Sequence, residues 1–237
     1  MVSLVPSVTE TLLAWGVQPV ACTRFCDQPQ LRHVGGTKDP DVGAIAALRP
    51  DLVVLDREEN RRQDHDALVA AGVPVHVTTV RSLGDLDTEL QALADAVGRR
   101  WRPAGQLVPA AASGPVSARR AAPVRRRAFV PIWRRPYMAL GEPTYGSSLL
   151  AELGVANVYA GDGPYPTVTL AEAAGRRPDV VLAPSEPYPF STRQQAELES
   201  VAPVVFVDGR DLFWWGVRTP AALDRLAGQL AGAAGRG

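Results

Sequence analysis

The chain has 237 residues, 46% of them hydrophobic, and its 25 basic side chains are matched by 25 acidic ones. That length fills one large core or two small ones. The charge balance excludes a general pull toward nucleic acid, and no run reaches the roughly 18 apolar residues that a membrane-crossing helix needs. The start of the sequence shows no basic region leading into an apolar run and a small-residue cleavage site. As written, the chain is therefore expected to be cytoplasmic, with an upstream start as the route to export.

In chain order, "VSLV" reads as a strand. It passes at Pro6-Ser7 into a helix, where Ser7 and Glu10 have capping-box spacing. Gly16 stops that helix, and "PVACTRF" reads as a second strand. A loop, "CDQPQLRHVGGTKDPD", leads to the short helix "VGAIAALRP" and the strand "DLVVLD". The helix "RQDHDALVAAG" and the strand "VPVHVT" follow. The Leu86, Leu90, Leu93, Ala94 and Val97 spacing predicts a helix from Leu83 toward Trp101. Beyond it, Pro103, Pro109, Pro115 and Pro123 interrupt any continuous helix.

The second half repeats this order. "RAFVPIW" and "YMALG" are strands, "TYGSSLLAELGV" answers "SVTETLLAWGV", and "RPDVVLAPSEPYPF" from Arg177 answers "RPDLVVLDREEN" from Arg49. Strand alternating with helix in two copies predicts two Rossmann-like α/β lobes with parallel sheets, at 1–82 and 128–237, joined by a helical Arg- and Pro-rich connector at 83–127. No acid occurs between Asp95 and Glu142, and the ten arginines of that gap read as a solvated linker face.

Ligands of open parallel sheets bind beyond the carboxyl ends of the strands. That places Glu58, Glu59 and Asn60 at one rim and Glu186 to Phe190 at another. The aromatic residues crowd the second half, where Trp133, Tyr137, Tyr188, Trp214 and Trp215 supply rigid apolar faces, with Phe25 as the first-half counterpart. Phosphate loops, nucleophile elbows and zinc-protease motifs are missing. The histidines, His33, His65 and His76, fall in a loop, a helix and a strand, which specifies no metal site. Glu58 and Glu59 have general acid and base chemistry, but adjacent side chains diverge and no nucleophile accompanies them. Cys22 and Cys26 have neither redox nor zinc spacing and read as buried or loop thiols.

The segments "SLVPSVTETLLAWGV", "TRFCDQP", "VGGTKDPDVGAIAALRPDLVVLDREEN", "VPIWRRPYMALGEPTYGSSLLAELGV", "RPDVVLAPSEPYPF" and "DLFWWGVRT" occur in an order that resembles the cobalamin- and siderophore-type substrate-binding proteins of ABC importers, the helical-backbone metal receptors. The resemblance implies two α/β lobes joined by a long helix, with a metal chelate in the cleft between them: a corrinoid first, a ferric siderophore or haem next. It implies no enzyme activity, no resident cofactor and no protein-bound metal, because the chelate already satisfies its ion. It assigns Pro6, Ser7 and Phe25 to one wall, Trp133, Glu186, Tyr188, Trp214 and Trp215 to the other, and Arg218 to a polar group of the ligand. Exposed acids that dock such receptors on a permease correspond to Asp64 or Asp66 and Glu197 or Glu199. The expected state is a monomer. The alternatives are a cytosolic transferase or hydrolase using Glu58, Glu59 or Glu186 as base, and a cytosolic carrier or regulator that kept the cleft.

Overall fold

The computed structural model describes residues 1–99 and 124–234. The expected interruption of the connector by Pro103, Pro109, Pro115 and Pro123 therefore lies outside the described residues. The described chain falls into two compact units. The first comprises residues 1–80, the segment from Asp85 to Arg99, and Trp215–Val217. The second comprises Arg81–Gly84, residues 124–214 and the chain from Arg218 onward.

In the first unit, β1 (Val2–Ser3), β2 (Ala21–Cys22), β3 (Arg32–His33), β4 (Val53–Asp56) and β5 (Val75–Thr78) form one sheet. Its order is β3-β2-β1-β4-β5, with every pair parallel. The chain runs outward from β1 to β3 and then returns to the other side of β1. The order therefore switches between β1 and β4, where loops diverge and leave space at the carboxyl ends. Helices α1 (Pro6–Ala14), α2 (Val42–Ala47) and α3 (Arg62–Ala70) connect these strands. Val2, Leu4, Ile45, Val53, Leu55 and Leu68 fill the core, as continuous apolar runs on doubly covered strands require.

In the second unit, β6 (Arg126–Phe129), β9 (Val155–Asn157), β11 (Val180–Pro184) and β12 (Val204–Val207) form a parallel sheet of order β12-β11-β6-β9. The switch point falls between β6 and β11, the counterpart of β1 and β4. A separate antiparallel sheet, order β10-β8-β7, joins β7 (Pro131–Trp133), β8 (Tyr137–Ala139) and β10 (Thr167–Val168). The run "RAFVPIW", expected as one strand, is thus divided between two sheets. Helices α5 (Tyr145–Glu152), α6 (Leu170–Gly175), α7 (Gln195–Leu198), α8 (Gly209–Phe213) and α9 (Thr219–Ala234) complete the unit. Phe129, Tyr159, Val181, Phe190 and Leu198 lie in its core.

The written repeat is also a conformational one. Arg49 and Arg177, each opening a copy of "RPD", have φ of 45° and 51°. Each follows the last turn of a short helix, its N–H returning to Ala46 O or Ala174 O at 2.9 Å. The proline that follows disfavours a continued α conformation, and the left-handed residue closes the helix before the strand begins.

Local expectations fail at two helices. The Ser7–Glu10 capping box does not form: Val5 is the N-cap of α1 without a side-chain bond, and Pro6 occupies the first turn, where its missing N–H costs nothing. Capping boxes form instead at Thr169–Glu172 and Ser191–Gln194. The helix expected from Leu83 starts as a 3-10 turn over Leu83–Asp85, continues as α4 (Leu86–Ala96), and is closed by Gly98 at φ 66° well short of Trp101. Leu86, Leu90, Leu93 and Ala94 are its buried face.

Candidate ligand-binding site

In the first unit, the rim at the switch point is organised by Asn60. Its amide nitrogen donates to Leu4 O at 3.2 Å and Thr37 O at 2.9 Å, and its amide oxygen accepts from Asp56 N at 2.8 Å. One buried side chain thereby fixes the loops after β1, β3 and β4. The buried Asp56 carboxylate accepts from Glu58 N at 2.9 Å, Glu59 N at 3.2 Å and Thr78 Oγ1 at 2.9 Å. Burial raises its pKa, and these hydrogen bonds oppose the rise.

Of the expected residues of this unit, Pro6 and Ser7 are buried at the start of α1. Phe25 is 53% exposed, with the Arg24 guanidinium 4.9 Å from its ring centre. Glu58 and Glu59 are half-buried and exposed. Their backbone N–H groups serve Asp56, which makes this pair part of a turn. Cys22 and Cys26 are free thiols and both are buried. Desolvation, with Cys26 beside it, pushes the Cys22 thiol up to about 12.

The second unit holds the denser constellation. Ser185 N donates to Val207 O at 3.0 Å and Gly209 N to Ser185 Oγ at 3.0 Å, which binds the loop after β11 to the start of α8. A Cβ on Gly209 would overlap the Cγ, N and O of Glu186, so only glycine lets these two segments approach. Glu186 is half-buried there. Its carboxyl pKa is raised by desolvation, partly offset by the hydrogen bond from Trp214 and by the charges of Arg210 and Arg218. Trp214 carries the Arg210 guanidinium 5.1 Å and the Arg218 guanidinium 5.2 Å from its ring centre. Arg218 is held in turn by Asp211, at 3.0 Å, and the buried Asp211 also takes Arg225 through two contacts of 2.6 Å. Two guanidiniums set over one indole make Trp214 the centre of a planar, cationic cluster.

Trp133, 45% exposed, meets Tyr188 edge-on at 5.9 Å. Tyr188 packs on Phe190 at 4.7 Å, and Phe190 stacks on Tyr137 at 6.4 Å. Trp133, Tyr188 and Tyr137 are thus brought together, with Phe190 as their buried base, while Glu186 on the same loop, Trp214 at the C-cap of α8 and Arg218 just before α9 form a second group. Trp215 corrects the expectation: it is 4% exposed, a core side chain of the first unit, and adjacent tryptophans serve different ends. The cause is Gly216, whose φ of 122° turns the chain so that it lies against Thr11.

The docking acids also differ from an exposed pair. Asp64 is 6% exposed and held by Arg61 at 2.9 Å, whereas Asp66 is the exposed acid of α3. Glu197 is half-buried and paired with Arg134 at 2.7 Å, and Glu199 faces solvent. Arg210, Asp211 and Arg225 escaped the sequence reading although a signal existed. Arg210, Trp214 and Arg218 are spaced four apart, and Asp211, Arg218 and Arg225 seven apart. His33 lies in β3, and among the described residues no cluster of three or more His, Cys, Asp or Glu side chains is placed to hold a metal ion.

The periplasmic binding protein family model matches residues 1–199. The chain belongs to that family. Its curated relatives include the vitamin B12-binding proteins of Yersinia pestis (strain Pestoides F) and Yersinia pseudotuberculosis (serotype O:1b). Each is 32% identical over 100 residues, a match covering 40% of this chain and 36% of the relative. The aligned stretch therefore spans little more than a third of those relatives. Over nearly the whole chain the fold is that of the Vibrio cholerae periplasmic vitamin B12-binding protein BtuF (TM-score 0.72, 20% identity, 97% of this chain and 95% of that one). It is equally that of the periplasmic heme-binding protein RhuT from Roseiflexus sp. RS-1 (0.72, 20%, 96% and 96%) and of the heme-binding protein BhuT with two hemes (0.74, 22%, 98% and 97%). No helix among the described residues of this family member is long and apolar enough to cross a membrane.

Proposed function

We propose that the chain is a non-catalytic substrate-binding protein that takes up a metal chelate, a cobalamin-like corrinoid first and haem or a ferric siderophore next, for delivery to an ABC importer. The observation that carries this reading is the cluster of Trp214 with the Arg210 and Arg218 guanidiniums over its ring and Glu186 beside it. It matches a large flat ligand whose periphery bears amides, carboxylates or phosphate. The names of the matched relatives, for vitamin B12 and heme, support the same ligand class. Membership of a binding-protein family supports the absence of catalysis and supports work outside the cytoplasm. Trp133, Tyr137 and Tyr188 extend the apolar area, and Phe25, Pro6 and Ser7 are the first-unit residues assigned to the ligand. For the permease, Asp66 and Glu199 are the solvent-facing acids of the two candidate pairs.

Tryptophan fluorescence tests the reading. Titration with cobalamin, hemin and a ferric siderophore is expected to give saturable quenching with one of them, weakened in Trp214→Leu and Arg218→Ala. Glu186→Gln is expected to alter affinity only. The absence of saturable quenching by all three would overturn the assignment.

A further inference from the structure

A cavity of about 460 Å3 opens within the first unit where β4 passes into α3. Asp56, Arg57, Asn60, Arg61, Arg62 and His65 supply its polar lining, and Leu55 and Val77 its apolar wall. Its hydrogen-bonding capacity is one-sided. The acceptors of Asp56 and the amide of Asn60 are already engaged with Glu58 N, Glu59 N, Thr78, Leu4 O, Thr37 O and Asp56 N. The guanidiniums are not used up. Arg61 spends Nε and Nη2 on Asp64, at 2.9 and 3.1 Å, leaving Nη1. Arg62 spends only Nε on Asp66, at 3.0 Å, leaving both terminal nitrogens. Arg57 is exposed, and among the described residues no ion pair engages it. What remains at this cavity is a surplus of planar, forked, charged donors over acceptors, the complement of a carboxylate or phosphate that accepts two parallel hydrogen bonds from one guanidinium.

We propose that this cavity is a second ligand site, for a small molecule bearing oxyanions, gripped by Arg57, Arg61 and Arg62. Its volume lies in the range of small-ligand pockets and exceeds what a single inorganic ion fills, so the occupant is an organic phosphate or polycarboxylate rather than a lone anion. The cavity adjoins the first-unit rim described above, because Asp56 and Asn60 belong to both. Its arginines are distinct from Glu186, Trp214 and Arg218, so failure of oxyanion binding leaves the chelate reading standing, and failure of chelate binding leaves this one standing.

Isothermal titration of the full chain with pyrophosphate and, separately, with citrate, at an ionic strength fixed by sodium chloride, decides the matter. Saturable one-to-one binding of at least one probe is expected, weakened at least tenfold in the double variant Arg57→Ala/Arg62→Ala and unchanged in Arg193→Ala, which removes a charge elsewhere. The stronger probe identifies the head group as phosphoryl or carboxylate. Both substituted arginines are exposed, so the double variant is expected to keep the native Tm and its chelate response. Absence of saturable heat with both probes, or equal affinity in the double variant and the native chain, would overturn the proposal. So would an equal loss in Arg193→Ala, which would mark the binding as diffuse electrostatics.

Discussion

Removing the carboxylate of Asp211 tests whether the Trp214 site is held by a buried charge. Asp211 is 2% exposed and receives Arg218 at 3.0 Å and Arg225 through two contacts of 2.6 Å. Asp211→Ala deletes three charge-assisted hydrogen bonds and deprives Arg218, whose side chain is 16% exposed, of its carboxylate. Taking away one member of a buried pair costs about 3–5 kcal/mol. The low end applies, because the Arg225 side chain is 52% exposed and rehydrates. Arg225→Ala leaves the Asp211–Arg218 pair intact and is expected to cost about 1 kcal/mol, as exposed pairs do. For a chain of this size each kcal/mol shifts Tm by about 2–4 °C, so the two variants should fall by about 6–12 °C and about 2–4 °C. Urea denaturation followed by circular dichroism and a thermal scan give both numbers. Acrylamide quenching of Trp214 in the folded Asp211→Ala variant should rise as Arg218 loses its tether. Equal destabilisation by the two variants would refute the claim that Asp211 is the buried anchor.

Three further perturbations follow from the same geometry. Gly209→Ala places a methyl against the Cγ and backbone of Glu186 and should cost about 1–3 kcal/mol while displacing that carboxylate, read by denaturation and by weakened chelate quenching. Glu186 has its pKa raised from 4.5, chiefly by burial, so the folded state holds its proton longer than the unfolded state. Stability should decline as pH rises from 4.5 through the raised value, and Glu186→Gln should abolish that decline in urea titrations at stepped pH. His76 has the opposite slope: burial lowers its pKa from 6.5, against a smaller opposing effect of Glu89, so stability is lost as pH falls below 6.5. His76→Leu should flatten that limb, and an unchanged acid limb would show that His76 is not its source.

The local chemistry of the chain determined a large part of this fold. Apolar runs flanked by turn residues produced β4, β5, β11 and β12, and the two "RPD" phrases closed their helices identically because a proline after a short helix leaves the same backbone solution. The loop aromatics and the Glu186 segment are legible in the sequence, and the fold groups Trp133, Tyr137, Tyr188 and Phe190 within the second unit. Of the two-residue strands, β1 and β2 sit in longer apolar runs that mark them, whereas β3 and β10 carry too little apolar pattern to be read and form where neighbouring strands offer hydrogen bonds. Trp214 and Trp215 are chemically equal in sequence, and Gly216 together with the packing of Thr11 decides which one joins the core. Asp64 and Asp66 are equally acidic, and the turn of α3 buries one while leaving the other in solvent. Which member of such a pair faces a ligand is set by long-range contacts between residues far apart in the chain, where burial and its compensation by Arg61, Arg218 or Arg225 are decided, and no local pattern encodes them.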